Sequence, residues 1–421
     1  MFSNNRKNFT QKMGNSVAIL FSGNVTHHPN SMKEIFRSNS NFYYLTGLDE
    51  VGYLAVITPN NYTLFAPAPD PHISLWERKM PSLSEIKEQS GADEVIDIKE
   101  FNTNKLEKFF LGRETLYYGI GCDSNIDKIV LDTLTRLRRR SSQLIPYSIW
   151  DLNDAMQQLR IIKSPDEIAR IHRAVQVTVE AYKAVFSHAK PGCFEYELEA
   201  TLHHTYMKNG CKDAFPPIVG AGANATTLHY NDNNMQIHDG DLVLVDSGAE
   251  FQHYCADVSR TWPVNGKFSD AQKNIYSHLL HVQKNIIEQI KPGVVIDEWV
   301  NKIDLMLTEC IIDLGFIKGD AAQLVEEKKH KKYYPHSFGH WLGLDVHDVG
   351  NTFYRGKSRV FEPGMVLTVE PGLYIAANDE NVPAEFRGMG LRIEDDILVT
   401  DEGHDVLTKD IPKEMDFFEN L

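Results

Sequence analysis

Along the first 150 or so residues, short apolar runs alternate with polar stretches that carry a helical spacing. Val17–Phe21, Phe42–Leu48, Tyr53–Thr58 and Tyr62–Ala66 read as strands, and Ser82–Gln89 and Asn125–Arg139 read as helices. An α/β domain is the expectation. His27-His28 and Trp76 stand out within it, but isolated residues of these types usually occupy structural or surface positions.

A helix start is written at Ser164-Pro165-Asp166-Glu167, where Ser can cap, Pro suits the first helical position and Glu closes a capping box. Ile168, Ile171, Val175, Val179, Tyr182 and Phe186 then recur at helical spacing until Lys190-Pro191-Gly192 stops the helix. The domain boundary therefore falls between about 150 and 163, giving an N-terminal α/β domain (1–155) and a C-terminal domain (156–421).

The second half repeats itself. Lys190-Pro191-Gly192 precedes a helix that runs to Asn209-Gly210, and Lys291-Pro292-Gly293, after a helix capped by Ser269 and Gln272, precedes another ending near Leu314-Gly315. A strand of similar shape follows each unit. Gly240-Asp-Leu-Val-Leu-Val-Asp246 and Gly364-Met-Val-Leu-Thr-Val-Glu370 both place a carboxylate six residues after a glycine, at the end of an apolar run. The order of elements implies an internal duplication of two helix-pair-plus-sheet units about a pseudo-twofold axis.

Composition narrows the function. The 421 residues are 42% apolar and 24% charged, a globular balance that calls for two domains and offers no apolar run long enough to span a bilayer. A net charge of −15 argues against binding nucleic acid through its phosphates, and Lys328–Lys332 reads as a short solvated loop. Cys122, Cys193, Cys211, Cys255 and Cys310 are scattered and include no CxxC, which fits a reducing compartment. Residues 1–33 carry basic residues and no acid, yet Val17–Phe21 is too short for a secretory core. The expectation is a cytoplasmic protein whose N-terminal residues form a surface segment leading into the first buried strand.

Four carboxylates end or interrupt strands that should be buried, where a charge is costly unless it is paired or bound to metal. Asp246 closes Leu242–Val245, and Asp257 lies in Tyr254–Arg260, the return strand of a hairpin. Glu370 closes Met365–Val369, and Glu394 lies in Leu391–Val399. Each alone can be a turn or ion-pair residue; four on matched halves of a duplication point to a site. His336, His340 and His347 fall within twelve residues and are spaced by glycines, offering metal ligands or proton donors, with His229 as a weaker candidate. Four carboxylates and one histidine make a hard ligand set that suits Mn²⁺, with Co²⁺ or Zn²⁺ also accommodated. Because carboxylates can bridge, five ligands suffice for two ions that acidify a bridging water and polarise the carbonyl it attacks. The chemistry implied is hydrolysis.

At these residues the chain resembles the pita-bread metallopeptidases, and within them the proline peptidases, aminopeptidase P and prolidase. The resemblance is carried by His336–Asp348, by Val369-Glu370-Pro-Gly-Leu-Tyr374 and by Arg392-Ile-Glu394-Asp-Asp396. Trp341-Leu-Gly-Leu-Asp-Val-His347-Asp-Val-Gly350 leans toward aminopeptidase P, and residues 1–150 resemble the N-terminal domain that accompanies these enzymes. The resemblance implies that Asp246 chelates one metal, that Asp257 and Glu394 bridge the pair, and that His340 and Glu370 bind the second. Glu370 would also handle the proton of the attacking water. His229, His336 and His347 would bind the substrate carbonyl, the leaving proline nitrogen or the tetrahedral intermediate. Tyr374 and Arg392 would lie close by, with Arg392 holding carboxylates in place, and Trp76 would act as a lid or exopeptidase stop reaching a neighbouring subunit. The implied substrates are peptides with proline at the second position, and the implied assembly is a homodimer or homotetramer. Ser337 and Phe338 replace the glycine and aliphatic residue more usual between the first two histidines, and Ala214–Val219 is also unusual; both bear on fine specificity. The alternatives are a prolidase restricted to X-Pro dipeptides and a catalytically inert pita-bread binding module. Inert relatives usually lose the ligands, whereas this chain keeps all five.

Overall fold

In the computed structural model, which describes residues 1–25, 36–76, 79–140, 143–354 and 356–421, three of the four strands expected near the N-terminus form and share one sheet. Ser16–Phe21 pairs antiparallel with Leu54–Thr58 and parallel with Thr115–Tyr118, and Leu54–Thr58 pairs with Asn61–Ala66. Glu94–Asp97 and Ser148–Trp150 complete six strands, one at each edge. Val17, Ile19, Leu54, Val56, Phe65 and Leu116 pack from the sheet onto Leu106, Phe110, Ile126, Val130 and Leu134 of two helices, Thr103–Phe110 and Ser124–Arg140. These elements belong to a first unit, residues 1–160; residues 161–421 form a second.

Two local expectations are corrected here. Phe42–Leu48 is not a strand but part of the helix Ser40–Thr46. Asn39 caps it by accepting from the Asn41 and Phe42 amides, Gly47 ends it in a left-handed conformation, and every residue is buried, so no polar face betrays the helical period. The segment before Val17 is likewise no plain surface leader. Phe2–Met13 is a helix that buries Phe9 and Met13, and its Arg6 donates to the Leu45 and Ser90 carbonyls. His27-His28 lie outside the described residues.

In the second unit the helix Pro165–His188 begins at Ser164 with the capping box complete and packs on Glu195–Lys208. Asp270–Glu288, capped by Ser269, packs in the same way on Ile296–Asp313. Two helix pairs, each followed by antiparallel strands, give the duplicated pita-bread fold. Gly240 and Gly364 both take positive φ, 86° and 88°, at the entrances to corresponding strands, Leu242–Ser247 and Val366–Val369. Among the described residues no helix is long and apolar enough to cross a membrane.

The strands break where the carboxylates sit. Tyr254–Arg260 is not continuous: Tyr254–Cys255 pairs with Ala249–Phe251, the chain shifts at Ala256-Asp257, and Val258–Pro263 pairs with Leu242–Ser247. Leu391–Val399 breaks in the same way at Ile393-Glu394, between Gly390–Arg392 and Asp395–Val399. Gly248 lets the first break close, since a Cβ there would stand 1.7 Å from the Ala256 carbonyl oxygen. Lys328–Lys332 is not a free solvated run either; His330 is buried, and Lys331 and Lys332 pair with Asp304 and Asp379.

The C-terminal helix Met415–Glu419 ties this layer down through Phe418, which is fully buried, stacked on Trp262 at 6.1 Å and edge-on to Phe186 at 5.6 Å. Removing a buried aromatic side chain costs about 3–5 kcal/mol. Phe418→Ala is therefore expected to lower the melting temperature of the second unit by roughly 10 °C. Differential scanning calorimetry checks this, and an unchanged melt would show that the terminal helix is dispensable.

Candidate metal centre

Asp246 and Ser259 face each other across the antiparallel pair, and the break after Cys255 turns Asp257 into the same space. From the second half, Glu370 follows Val366–Val369, and Glu394 occupies the break before Asp395–Val399. Asp257, His340 and Glu394 each offer a ligand atom within 4.8 Å of the others. His340 Nε2 stands 3.4 Å from Asp257 Oδ2 and 3.7 Å from Glu370 Oε1. The residue brings Nε2 forward because Nδ1 lies 3.1 Å from the Trp341 carbonyl; donating there leaves Nε2 with its lone pair.

Counter-charge is scarce. Arg392 lies 2.5 Å from Asp246 Oδ2 and also donates to Ser259 Oγ at 2.7 Å, and Ser259 in turn donates to Glu394 Oε2 at 2.7 Å. Asp396 adds a fifth carboxylate by accepting from the Asp257 amide at 3.1 Å. Burial, and then the neighbouring carboxylates, push Asp257 well above the usual carboxylate range, and burial followed by Glu370 and Asp246 does the same to Glu394. Burial raises Glu370 to about 7 despite Arg392. It lowers His340 to about 4, so the imidazole is neutral and ligand-ready. Asp246 Oδ1 and Asp257 Oδ1 are buried with no hydrogen-bond partner among the described residues. Orphaned carboxylate oxygens in a cluster that also holds a neutral imidazole fit divalent cations of hard character.

His336 lies on the far side of Glu370, with Nδ1 3.8 Å from Oε2. Its Nε2 is 3.0 Å from the Tyr374 hydroxyl, which accepts from Arg392 Nη1 at 2.8 Å and so has its own proton free for the imidazole. Burial and then Arg392 bring His336 down to about 3. The His347 ring lies 4.1 Å from that of His340. Both His347 and His229 are exposed, and His229 is near enough to disfavour protonation of His336. An open cavity of about 380 Å³, lined by Phe338, His340, Trp341, Asp348, Asn351 and Thr352 among others, flanks the carboxylates without containing them. Trp76 belongs to the first unit, where it ends the short helix Pro71–Trp76 and is 74% exposed.

Some supporting residues escape a reading of the sequence. Arg260 and Asp395 form a fully buried ion pair at 2.7 Å, and Arg260 also donates to the Glu394 carbonyl. A charge inside the apolar run Val258–Pro263 is the same signal that singles out Asp246. Lys163 and Asp348 pair at 3.1 Å with both side chains buried, and the Asp348 amide closes the loop onto the Trp341 carbonyl at 2.8 Å. Nothing in the spacing of those two residues announces the contact.

A duplicated fold closed around a cation-demanding carboxylate centre defines a metal-dependent hydrolase. The chain belongs to metallopeptidase family M24, which it matches over residues 169–401, and residues 2–117 match the aminopeptidase P N-terminal domain. It is 36% identical to the Xaa-Pro aminopeptidase of Escherichia coli over 98% of this chain and 94% of that protein. Among solved structures it superposes on the aminopeptidase of Pseudomonas aeruginosa with a TM-score of 0.94 at 35% identity, covering 100% of this chain and 96% of the other. For the E. coli aminopeptidase P with the inhibitor Pro-Leu, the TM-score is 0.93 at 34% identity, with 100% and 97% covered.

Asp257 gives a test independent of turnover. Holding it ionised beside Glu394 and Asp246 is costly without a cation, so Asp257→Asn is expected to raise the melting temperature in EDTA by about 2–4 °C, the shift that ~1 kcal/mol produces at this size. The same variant is expected to gain less from added Mn²⁺ than the parent does. Thermal unfolding with and without metal reads both; a variant stabilised by Mn²⁺ as strongly as the parent would remove Asp257 from the ligand set.

Proposed function

We propose that the chain is an aminopeptidase P: a dinuclear-metal exopeptidase that hydrolyses the bond between an N-terminal residue and a following proline. The observation that carries this is the cluster of buried Asp246, Asp257 and Glu394 with half-buried Glu370 and His340, in a chain similar along its length to Xaa-Pro aminopeptidases. Asp246 would hold one ion, Asp257 and Glu394 would serve both, and His340 and Glu370 would hold the other. Mn²⁺ is the ion we assign to this oxygen-rich set. When bound, two such ions supply Lewis acidity for the scissile carbonyl and lower the pKa of the attacking water.

The remaining work falls to the chain's own groups. Glu370, 3.7 Å from His340 Nε2, is the carboxylate we assign to accept the proton of the attacking water and return it later. A prolyl nitrogen has no N–H and gains a proton only as the C–N bond breaks. His229 and His347, exposed and not tied to a protein acceptor by any hydrogen bond among the described residues, are the groups placed to bind the substrate carbonyl and to supply that proton. His336 has both nitrogens engaged, with Tyr374 and with the Ser337 carbonyl, so it acts by fixing the Tyr374 hydroxyl between itself and Arg392. Trp76 is assigned as the exopeptidase stop, donated by a neighbouring subunit of a cytoplasmic homodimer or homotetramer.

The test is a peptide panel: an X-Pro dipeptide, X-Pro-Y tripeptides and an X-Ala-Y control, assayed after EDTA and again with Mn²⁺ restored. Metal-dependent cleavage of the tripeptides with the control untouched is expected. Cleavage of the dipeptide alone would make the chain a prolidase, and silence on every substrate with metal bound would make it a binding module.

A further inference from the structure

The segment that carries His229 has little regular structure to hold it. After Ile218–Ala221 the chain makes one 3₁₀ turn, Gly222–Thr226, and then runs irregularly to Gln236. What it wraps is a carboxylate. Glu195, the first residue of Glu195–Lys208, is fully buried and accepts four hydrogen bonds. Oε1 takes the Ala221 amide at 2.8 Å and Asn224 Nδ2 at 3.0 Å. Oε2 takes the Tyr230 hydroxyl at 2.8 Å and the Met235 amide at 3.0 Å. Asn224 Nδ2 also reaches the Tyr230 oxygen at 3.1 Å, linking the two pairs. All four donors come from residues 221–235, two before His229 and two after it.

An ionised carboxylate has about four acceptor positions, so this one is saturated, and hydrogen bonds to a charge are roughly twice as strong as neutral ones. Its place at a helix start adds to the stabilisation of the negative charge. Burial and the bond to Glu195 push the Tyr230 phenol up to about 12, which keeps it a donor. The segment also rests on Gly390–Arg392, so closely that a Cβ on Gly390 would stand 2.0 Å from the Ala225 carbonyl oxygen. The strand bearing Arg392 and the carboxylate of Glu195 thus both hold the segment. The His229 side chain is exposed and has no hydrogen bond to another described residue, so only its backbone sets where it stands.

We infer that Glu195 is a positioning residue for the reaction: its carboxylate organises residues 221–235 and thereby sets the His229 imidazole where the peptide bond is cleaved. This rests on the reading of the chain as an X-Pro exopeptidase in which His229 touches the substrate. Glu195→Gln keeps the size but presents an NH₂ to one pair of donors. Tyr230→Phe removes a single bond and leaves the carboxylate in place.

The experiment is a double-mutant cycle on the Mn²⁺-loaded enzyme with an X-Pro-Y tripeptide, reading kcat and KM for the parent, Glu195→Gln, Tyr230→Phe, His229→Ala and both double variants. A misplacement of about 1 Å costs on the order of a hundredfold in rate, so Glu195→Gln is expected to lower kcat/KM by up to that factor and Tyr230→Phe by less. In the His229→Ala background both effects are expected to shrink to less than about twofold, because groups acting through one residue are not additive. Losses that multiply in full would overturn the proposal, since Glu195 would then serve the fold at large. Should Glu195→Gln fail to fold, the Tyr230→Phe arm decides in the same way. A His229→Ala variant with parental turnover would overturn the proposal together with the role given to His229, whereas multiplying losses overturn the proposal alone.

Discussion

Mutual repulsion among buried carboxylates is the constraint around which the second unit is arranged. Asp246, Asp257, Glu394 and Asp396 are each less than a tenth exposed, and the Arg392 guanidinium pairs with one of them, Asp246. One positive charge cannot offset four or five negative ones at these separations. The surroundings respond with a shared set of donors. Arg392 divides its own among Asp246, Ser259 and Tyr374, Ser259 forwards one to Glu394, and the Asp257 amide serves Asp396. Directly beneath, Asp395 is neutralised twice over by Arg260 and Lys413, and burial notwithstanding it is held well below the ordinary range, chiefly by Arg260. Two adjacent aspartates, 395 and 396, therefore titrate in opposite directions because one is paired and the other is not. Asp246 Oδ1, Asp257 Oδ1 and Asp396 Oδ1 are left without a hydrogen-bond partner among the described residues.

The breaks in the strands follow from the same need. A regular strand sends alternate side chains to opposite faces and cannot concentrate charge at one point. Shifting the chain at Ala256-Asp257 and at Ile393-Glu394 turns one acidic side chain from each half toward a shared space. Gly248 permits the close backbone approach at the first of these breaks, and Gly390 flanks the second against Ala225. The duplication makes the arrangement near-symmetric, but the halves do not contribute alike, since the imidazole beside Asp257 and Glu370, His340, comes from the second half.

Much of this was legible in the order of residues because burial and charge conflict so visibly there. An acid at the end of Leu242–Val245 or Met365–Val369 contradicts its surroundings, and the repeated Lys-Pro-Gly stops fix how the halves correspond. The capping box at Ser164 likewise marks the start of the helix Pro165–His188. Phe42–Leu48 misled for the opposite reason: a helix buried on all sides has no period to read, and the decisive residues, Asn39 and Gly47, lie outside the apolar run. Glu195, Lys163 and Asp348 were invisible as well. Each looks like an ordinary surface charge until the fold removes its solvent, and their partners lie between 26 and 185 positions away along the chain.

Sequence separation has a further consequence for how the protein is made. Asp246 meets Arg392 across 146 positions, Ser259 meets Glu394 across 135, and Asp257 meets Asp396 across 139. During synthesis the first half of the duplication leaves the ribosome with Asp246 and Asp257 still hydrated and fully ionised at no cost. Only when the last strands arrive are these groups taken out of water. The electrostatic penalty of the centre is thus deferred to the closing step of folding. Closure of the chain therefore carries a repulsion that a divalent cation bound at these oxygens would relieve.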